Sequence, residues 1–185
     1  MNERLHDLPA LFRTKERMLL LRLVLSLSDC TVQQIATRSG LSKGLVSQYL
    51  ALLEREGVLE RNKRVYQLKF SPLTIAIKCL LNVDLVLSAF KKPSWARGIG
   101  MYGSWADGSN TDESDLDLFV FSKTLPSGIR IAELERDISR ALNVEVHILV
   151  LTPEKVSAMK NSDAPFYQSL VKQSILLEGD PYGSY

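Results

Sequence analysis

Residues 103–118 read Gly103-Ser104-Trp105-Ala106-Asp107-Gly108-Ser109-Asn110-Thr111-Asp112-Glu113-Ser114-Asp115-Leu116-Asp117-Leu118, and their order decides how the C-terminal half is built. Asp115 and Asp117 alternate with Leu116 and Leu118 at the head of an apolar run that reaches Phe121. A strand turns alternate side chains to one side, so both carboxylates share a face. Two carboxylates held together repel each other and raise the cost of ionisation. A divalent cation removes that cost, and a donor set of oxygens alone favours Mg²⁺ or Mn²⁺ shared with substrate phosphates. Upstream, Gly103 and Ser104 follow a short strand expected over 99–102 and open a short helix. Its free backbone N–H groups and the Ser104 hydroxyl make a cradle for phosphate.

Strands and helices alternate around this run. The pattern predicts a strand at 116–121, a helix at 129–142 and a strand at 144–151. Helices at 153–160 and 163–172 precede a last apolar stretch at 175–177. Glu145 is a charge within the otherwise apolar 144–151, a placement that is costly without a partner or a metal. It is the best candidate for a third carboxylate completing a two-metal site. His147 shares its face and reads as a solvent-facing or hydrogen-bonded histidine. Gly98-Ile99-Gly100-Met101-Tyr102-Gly103 satisfies a dinucleotide-binding glycine pattern. That pattern needs a strand before it and a helix opening from it. Here the glycine-bounded segment itself reads as the strand, which excludes that reading.

The N-terminal third is a different text. Leu19, Leu20, Leu23, Val24 and Leu27 recur at helical spacing. Thr31 opens a second helix with Gln34 as its capping-box partner, and Ser39-Gly40 closes it. Ser42 caps a third helix with apolar Leu45, Val46, Tyr49, Leu50 and Leu53. A hairpin follows with the charged tip Glu60-Arg61-Asn62-Lys63-Arg64. Residues 72–90 then form an apolar helix near the length of a membrane span. Lys78, Asn82 and Asp84 make insertion costly, so no membrane partner is expected. With Thr74, Lys78 and Asn82 aligned at i, i+4, the remaining apolar face is too broad for a lone surface helix. It is expected to be buried against its own domains or a second copy.

The formal net charge of the 185 residues is +2, which conceals a split: residues 1–97 carry a net +8 and residues 98–185 a net −6. Clustered positive charge attracts polyanions, and clustered carboxylates attract cations. The two cysteines, Cys30 and Cys79, lie far apart and form neither a disulfide framework nor a zinc-ligand spacing. The apolar run at 18–27 is broken by Arg22 and followed by no small-residue cleavage site, so no secretory signal is read. A reducing, cytoplasmic compartment is expected.

Two family resemblances rest on these residues. The segment from Gln34 to Leu53, with small Ala36, Gly40 in the turn and Val46 in the third helix, resembles a winged helix-turn-helix. The resemblance implies a third helix in the major groove of double-stranded DNA, with Ser42, Lys43, Ser47 and Gln48 toward base edges. Gln48 suits adenine and Lys43 guanine or phosphate. Arg61, Lys63 and Arg64 of the wing would hold the phosphate backbone. Dimers read paired half-sites, so a homodimer is expected.

The second run resembles the nucleotidyltransferase superfamily that includes DNA polymerase β, above all its minimal archaeal and bacterial members. Gly103, Ser104, Ala106, Gly108, Ser114, Asp115, Asp117 and Leu118 fall in register with Gly-Ser-x-Ala-Arg-Gly and Ser-Asp-x-Asp-Leu, and Glu145 falls at the third acid. The resemblance implies an α+β chain: a winged helix-turn-helix at 1–70, a linker or dimerisation helix at 71–93, and a polymerase-β-like mixed-sheet domain at 94–185. It implies Asp115, Asp117 and Glu145 as metal-binding and catalytic residues, Gly103 and Ser104 as the phosphate site, and a nucleoside triphosphate as ligand. The function expected is a DNA-binding transcriptional regulator carrying a Mg²⁺-dependent nucleotidyltransferase-like domain. The alternative is an active transferase of the antitoxin kind, moving a nucleoside monophosphate to a protein or small molecule. Asp107 stands where the family has arginine, reversing a charge beside the proposed phosphate. Whether the domain is an enzyme therefore stays open at this point.

Overall fold

In the computed structural model, which describes residues 6–180, a short helix α1 (Leu8–Phe12) leads into α2 (Lys15–Ser26). The two-residue strand β1 (Asp29–Cys30) is followed by α3 (Val32–Ser39) and α4 (Lys43–Arg55). Thr31 caps α3 through the amide of Gln34, and the Gln34 side chain returns to the Thr31 amide, completing the capping box. Gly40 ends that helix at φ +71°, and Ser42 caps α4 through the Leu45 amide. Strands β2 (Leu59–Asn62) and β3 (Val65–Leu68) form the wing. The sheet order is β1-β3-β2, all antiparallel. Leu20, Leu21, Val24, Ile35, Val46, Leu50 and Leu53 are buried at the centre of the helices. Tyr49 reaches back to donate to the carbonyl of Leu11 at 2.9 Å, fastening α1 to α4.

Helix α5 (Pro72–Ala89) follows, and the chain divides into two compact units within it, between Lys78 and Cys79. By length and composition alone it passes for a membrane span, the likeness that Lys78, Asn82 and Asp84 weigh against. Its polar stripe is turned inward. Thr74, Lys78 and Asn82 are buried together with Ile77, Leu81 and Val86, while Leu80 is 58% exposed and Leu87 44% exposed. Specific hydrogen bonds account for two of the three. Thr74 pairs with Ser71, and Asn82 is committed to backbone and side-chain oxygens described below.

The second unit holds a mixed four-stranded sheet. Strand β4 (Gly98–Tyr102) is followed by the one-turn helix α6 (Ser104–Asp107), β5 (Leu116–Phe121), α7 (Gly128–Leu142) and β6 (Val146–Leu151). Helices α8 (Pro153–Ser162) and α9 (Ala164–Gln173) and strand β7 (Ile175–Gly179) complete it. The order is β6-β5-β4-β7, with β5 and β6 parallel and the other pairs antiparallel. The parallel pair needs a crossover, which α7 supplies. Period-two alternation sorts β5 cleanly. Leu116, Leu118 and Val120 join Ile99, Met101, Ile138 and Val86 in one core, while Phe119 joins Leu151, Met159 and Leu170 in the other. Asp115 and Asp117 have the parity of Phe119, on the face that α8 and α9 cover farther along. The glycine pattern at 98–103 is a strand. A Cβ at Gly100 would lie 2.2 Å from Phe119 Cζ, so its glycine serves strand packing.

Candidate active site

The turn from β4 into α6 sits beside the head of β5. Gly103 has φ +66° and ψ −150°, a region essentially closed to residues with a Cβ. A Cβ there would also lie 2.8 Å from Asp117 Oδ2. Glycine is therefore needed twice over, for the backbone and for room beside the carboxylate. The amides of Ala106 and Asp107 turn back to the Gly103 carbonyl. That leaves the amides of Ser104 and Trp105 ahead of the first intrahelical bond, the position from which a helix start offers donors.

Asp117 faces Tyr102 across the antiparallel β4–β5 pair and His147 across the parallel β5–β6 pair. Asp115 stands one residue before β5, and Glu145 one residue before β6. The Glu145 carbonyl accepts from the Leu116 amide at 2.8 Å, bringing the two strand heads level. Glu145 was expected within the strand, where its charge would be costly. Instead it is 71% exposed at the strand's mouth, and that cost does not arise. His147 keeps the solvent-facing position expected of it, at 55% exposed, yet its Nε2 lies 3.6 Å from both Asp115 Oδ2 and Glu145 Oε1. Burial pushes the Asp117 carboxyl above its usual range; His147 opposes that shift and Asp115 adds to it. The Tyr102 hydroxyl is likewise pushed up, by burial and then by Asp117.

Among the described residues no group of three or more His, Cys, Asp or Glu side chains converges as a ready metal cage. Mg²⁺ asks for less: it is commonly held by one or two carboxylates together with substrate phosphates and water. Asp115 and Asp117, two hard oxygen donors on one strand face beside an open glycine turn, fit that requirement. Glu145 lies at the edge of the same cluster, joined to it through His147.

The supports of the turn were less legible. Asn82 of α5, read only as one member of a polar stripe, donates to the Trp105 carbonyl at 2.8 Å and to Asn110 Oδ1 at 2.9 Å. Cys79 Sγ donates to the Ala106 carbonyl at 3.2 Å. The carbonyls that a short helix leaves orphaned at its C-terminal end are thereby satisfied. Tyr102 also went unmarked; its ring meets Phe166 of α9 edge-on at 6.2 Å and walls one side of the acids. Asp107 turns its Oδ1 to the Ser109 amide at 2.9 Å, so the carboxylate in the arginine position serves the loop that follows α6.

In the first unit, Lys43, Ser47 and Gln48 are exposed on α4, while the Ser42 hydroxyl is engaged as the cap. Arg61, Lys63 and Arg64 are exposed on the wing. Lys63 turns the hairpin at φ +55°, and Arg61 donates to its carbonyl while lying 5.3 Å from the Tyr66 ring centre. Lys43, Arg61 and Arg64 share the lining of a cleft of about 490 Å³ with Gln33 and Tyr66.

A mixed sheet with paired acids at a strand head and a glycine turn beside them defines a class of phosphate-handling domains. A family model described as polymerase beta, nucleotidyltransferase matches residues 86–179, just over half of the chain, and the chain belongs to that family. The IclR helix-turn-helix domain matches residues 18–63, so a helix-turn-helix unit precedes the nucleotidyltransferase domain. Protein adenylyltransferase MntA of Thermococcus cleftensis is 28% identical over 90 residues, covering 46% of this chain and 91% of that protein. Among solved structures, the complex of a tri-AMPylated Shewanella oneidensis HEPN toxin with its MNT antitoxin aligns at 19% identity and a TM-score of 0.38, over 55% of this chain and 73% of that one. A toxin–antitoxin structure with AMP-PNP aligns at 20% identity and a TM-score of 0.37, over 54% and 71%.

Proposed function

We propose that the C-terminal domain binds a nucleoside triphosphate with Mg²⁺ or Mn²⁺ and transfers its nucleoside monophosphate to a hydroxyl acceptor, while the winged helix holds double-stranded DNA. The observation that carries this reading is the pairing of Asp115 and Asp117 on one strand face beside the Gly103 turn. The Gly103–Ser104 turn receives the phosphate chain through the leading amides and the Ser104 hydroxyl. Asp115 and Asp117 would hold the metal, which would supply charge neutralisation at the phosphates and polarisation of the phosphoryl group under attack. The acceptor oxygen bonds to the α-phosphorus as the bond to the pyrophosphate oxygen breaks. Glu145, exposed at the mouth, accepts the acceptor's proton at its carboxylate. The adenylyltransferase relative supports an adenylyl group and a protein acceptor.

Asp107 favours a second reading, in which nucleotide is bound and sensed by a DNA-bound regulator without turnover. An acid at the C-terminal end of α6 repels rather than attracts polyphosphate. Incubation with labelled nucleoside triphosphates and Mg²⁺ separates the two. Pyrophosphate release abolished by Asp115→Ala with Asp117→Ala supports transfer. Metal-dependent binding with no product supports sensing, and absence of binding defeats both. This function suits the cytoplasm, where Cys30 and Cys79, which form no disulfide, remain reduced. A homodimer through the exposed Leu80 and Leu87 of α5 would present two reading helices. Sedimentation that finds a monomer at micromolar concentration refutes that assembly.

A further inference from the structure

At the far end of β5, opposite the acids, lies a cleft of about 630 Å³ lined by Trp95, Arg97, Ser122, Lys123, Ser127 and Arg130 among others. From Asp117 to Ser122 the strand advances roughly 16 Å, so the cleft is separate from the site above. Its walls are pinned. The Arg97 amide donates to the Phe121 carbonyl at 2.8 Å. The buried Ser122 Oγ lies 2.7 Å from the Thr124 carbonyl and 3.2 Å from that of Trp95. Three cations line it and no acid does. Among the described residues, ion pairs of this unit include Arg136 with Asp137 and His147 with Asp115 and Glu145. Arg97, Lys123 and Arg130 belong to none of them. A domain whose sequence is acidic thus gathers positive charge at one concave place.

We propose that this cleft is a second phosphate-binding site, which takes a nucleoside di- or triphosphate by its phosphate chain. Arginine forks and a lysine ammonium are the donors that phosphate oxygens call for. Three of them exceed the need of a single phosphate. The volume is that of a small-ligand pocket, within the usual range of about 300–1,000 Å³. The cleft is recessed between the 94–97 and 122–127 segments, which suits a free nucleotide better than a duplex backbone. The head of α7 adds to the attraction: the Ser127 hydroxyl makes no cap bond to the helix, so it stays available to a ligand.

The test uses the full chain in EDTA, which silences metal-dependent binding at the aspartates. Calorimetric titration with ATP is expected to show saturable one-site binding, displaced by pyrophosphate and unchanged in the Asp115→Asn, Asp117→Asn protein. Arg97→Ala with Lys123→Ala and Arg130→Ala is expected to weaken it by about tenfold or more. The milder pair Lys123→Ala and Arg130→Ala, both at exposed positions, gives the same direction should the triple variant fold poorly. No binding in EDTA overturns the proposal, as does binding that survives these substitutions. Displacement of ATP by a short DNA duplex, lost with the same three cations, would reassign the cleft to nucleic acid. None of these outcomes depends on transfer at the aspartates, so either reading can fail alone.

Discussion

Gly103 and Asp117 show how tightly single residues are bound to one another here. Gly103→Ala places a Cβ in a closed backbone region and against a carboxylate oxygen. A loss of about 1–3 kcal/mol in urea unfolding of the nucleotidyltransferase domain is expected. Asp117 carries the opposite tension. Its folded value is raised, first by burial, so its contribution to stability is present below the unfolded value and is lost as pH rises through the raised one. At neutral pH the ionised carboxylate therefore costs the fold something. Asp117→Asn is expected to raise Tm by about 2 °C and to abolish Mg²⁺-dependent nucleotide binding. A variant that loses both stability and binding would show that the carboxylate is structural. Asp107 holds the Ser109 amide.

Among the elements, α5 has a role its sequence did not advertise. A run of polar residues at i, i+4 on an apolar helix ordinarily faces water, yet these positions are buried and two leucines, Leu80 and Leu87, are exposed. The pattern was readable, but its direction was not, because the partners of Asn82 are oxygens of α6 and its loop more than twenty residues away. Asn82→Ala leaves the Trp105 carbonyl and the Asn110 side chain short of a buried donor. A cost of about 1–3 kcal/mol is expected, with faster amide exchange in α6 as the local readout. Elements whose signals are local were legible. The capping box at Thr31 and Gln34, the cap at Ser42 and the strand at 116–121 stand where the residues put them. The strand with Glu145 starts later than expected, at Val146, since pairing with β5 begins there.

At the scale of the whole chain, opposed charges sort by position and by proposed task. For the DNA-holding unit, Arg61→Ala, Lys63→Ala and Arg64→Ala together are expected to reduce the slope of log affinity against log salt by about 3, close to one per phosphate contact. A gel-shift series across salt concentrations measures it, and an unchanged slope would remove the wing from the interface. Features that depend on neighbours along the chain were legible in the residues alone: helix caps, strand alternation, the paired aspartates, the glycine turn and the basic wing. They also marked the family before any coordinate did. Which strand heads lie level, and so why His147 comes within 3.6 Å of both Asp115 and Glu145, emerges from the folded sheet. The same holds for the inward turn of Asn82 and for the gathering of Arg97, Lys123 and Arg130 at the other end of β5. Those outcomes depend on sheet order and strand register, which join residues far apart in the chain, and local periodicity carries no record of such distances.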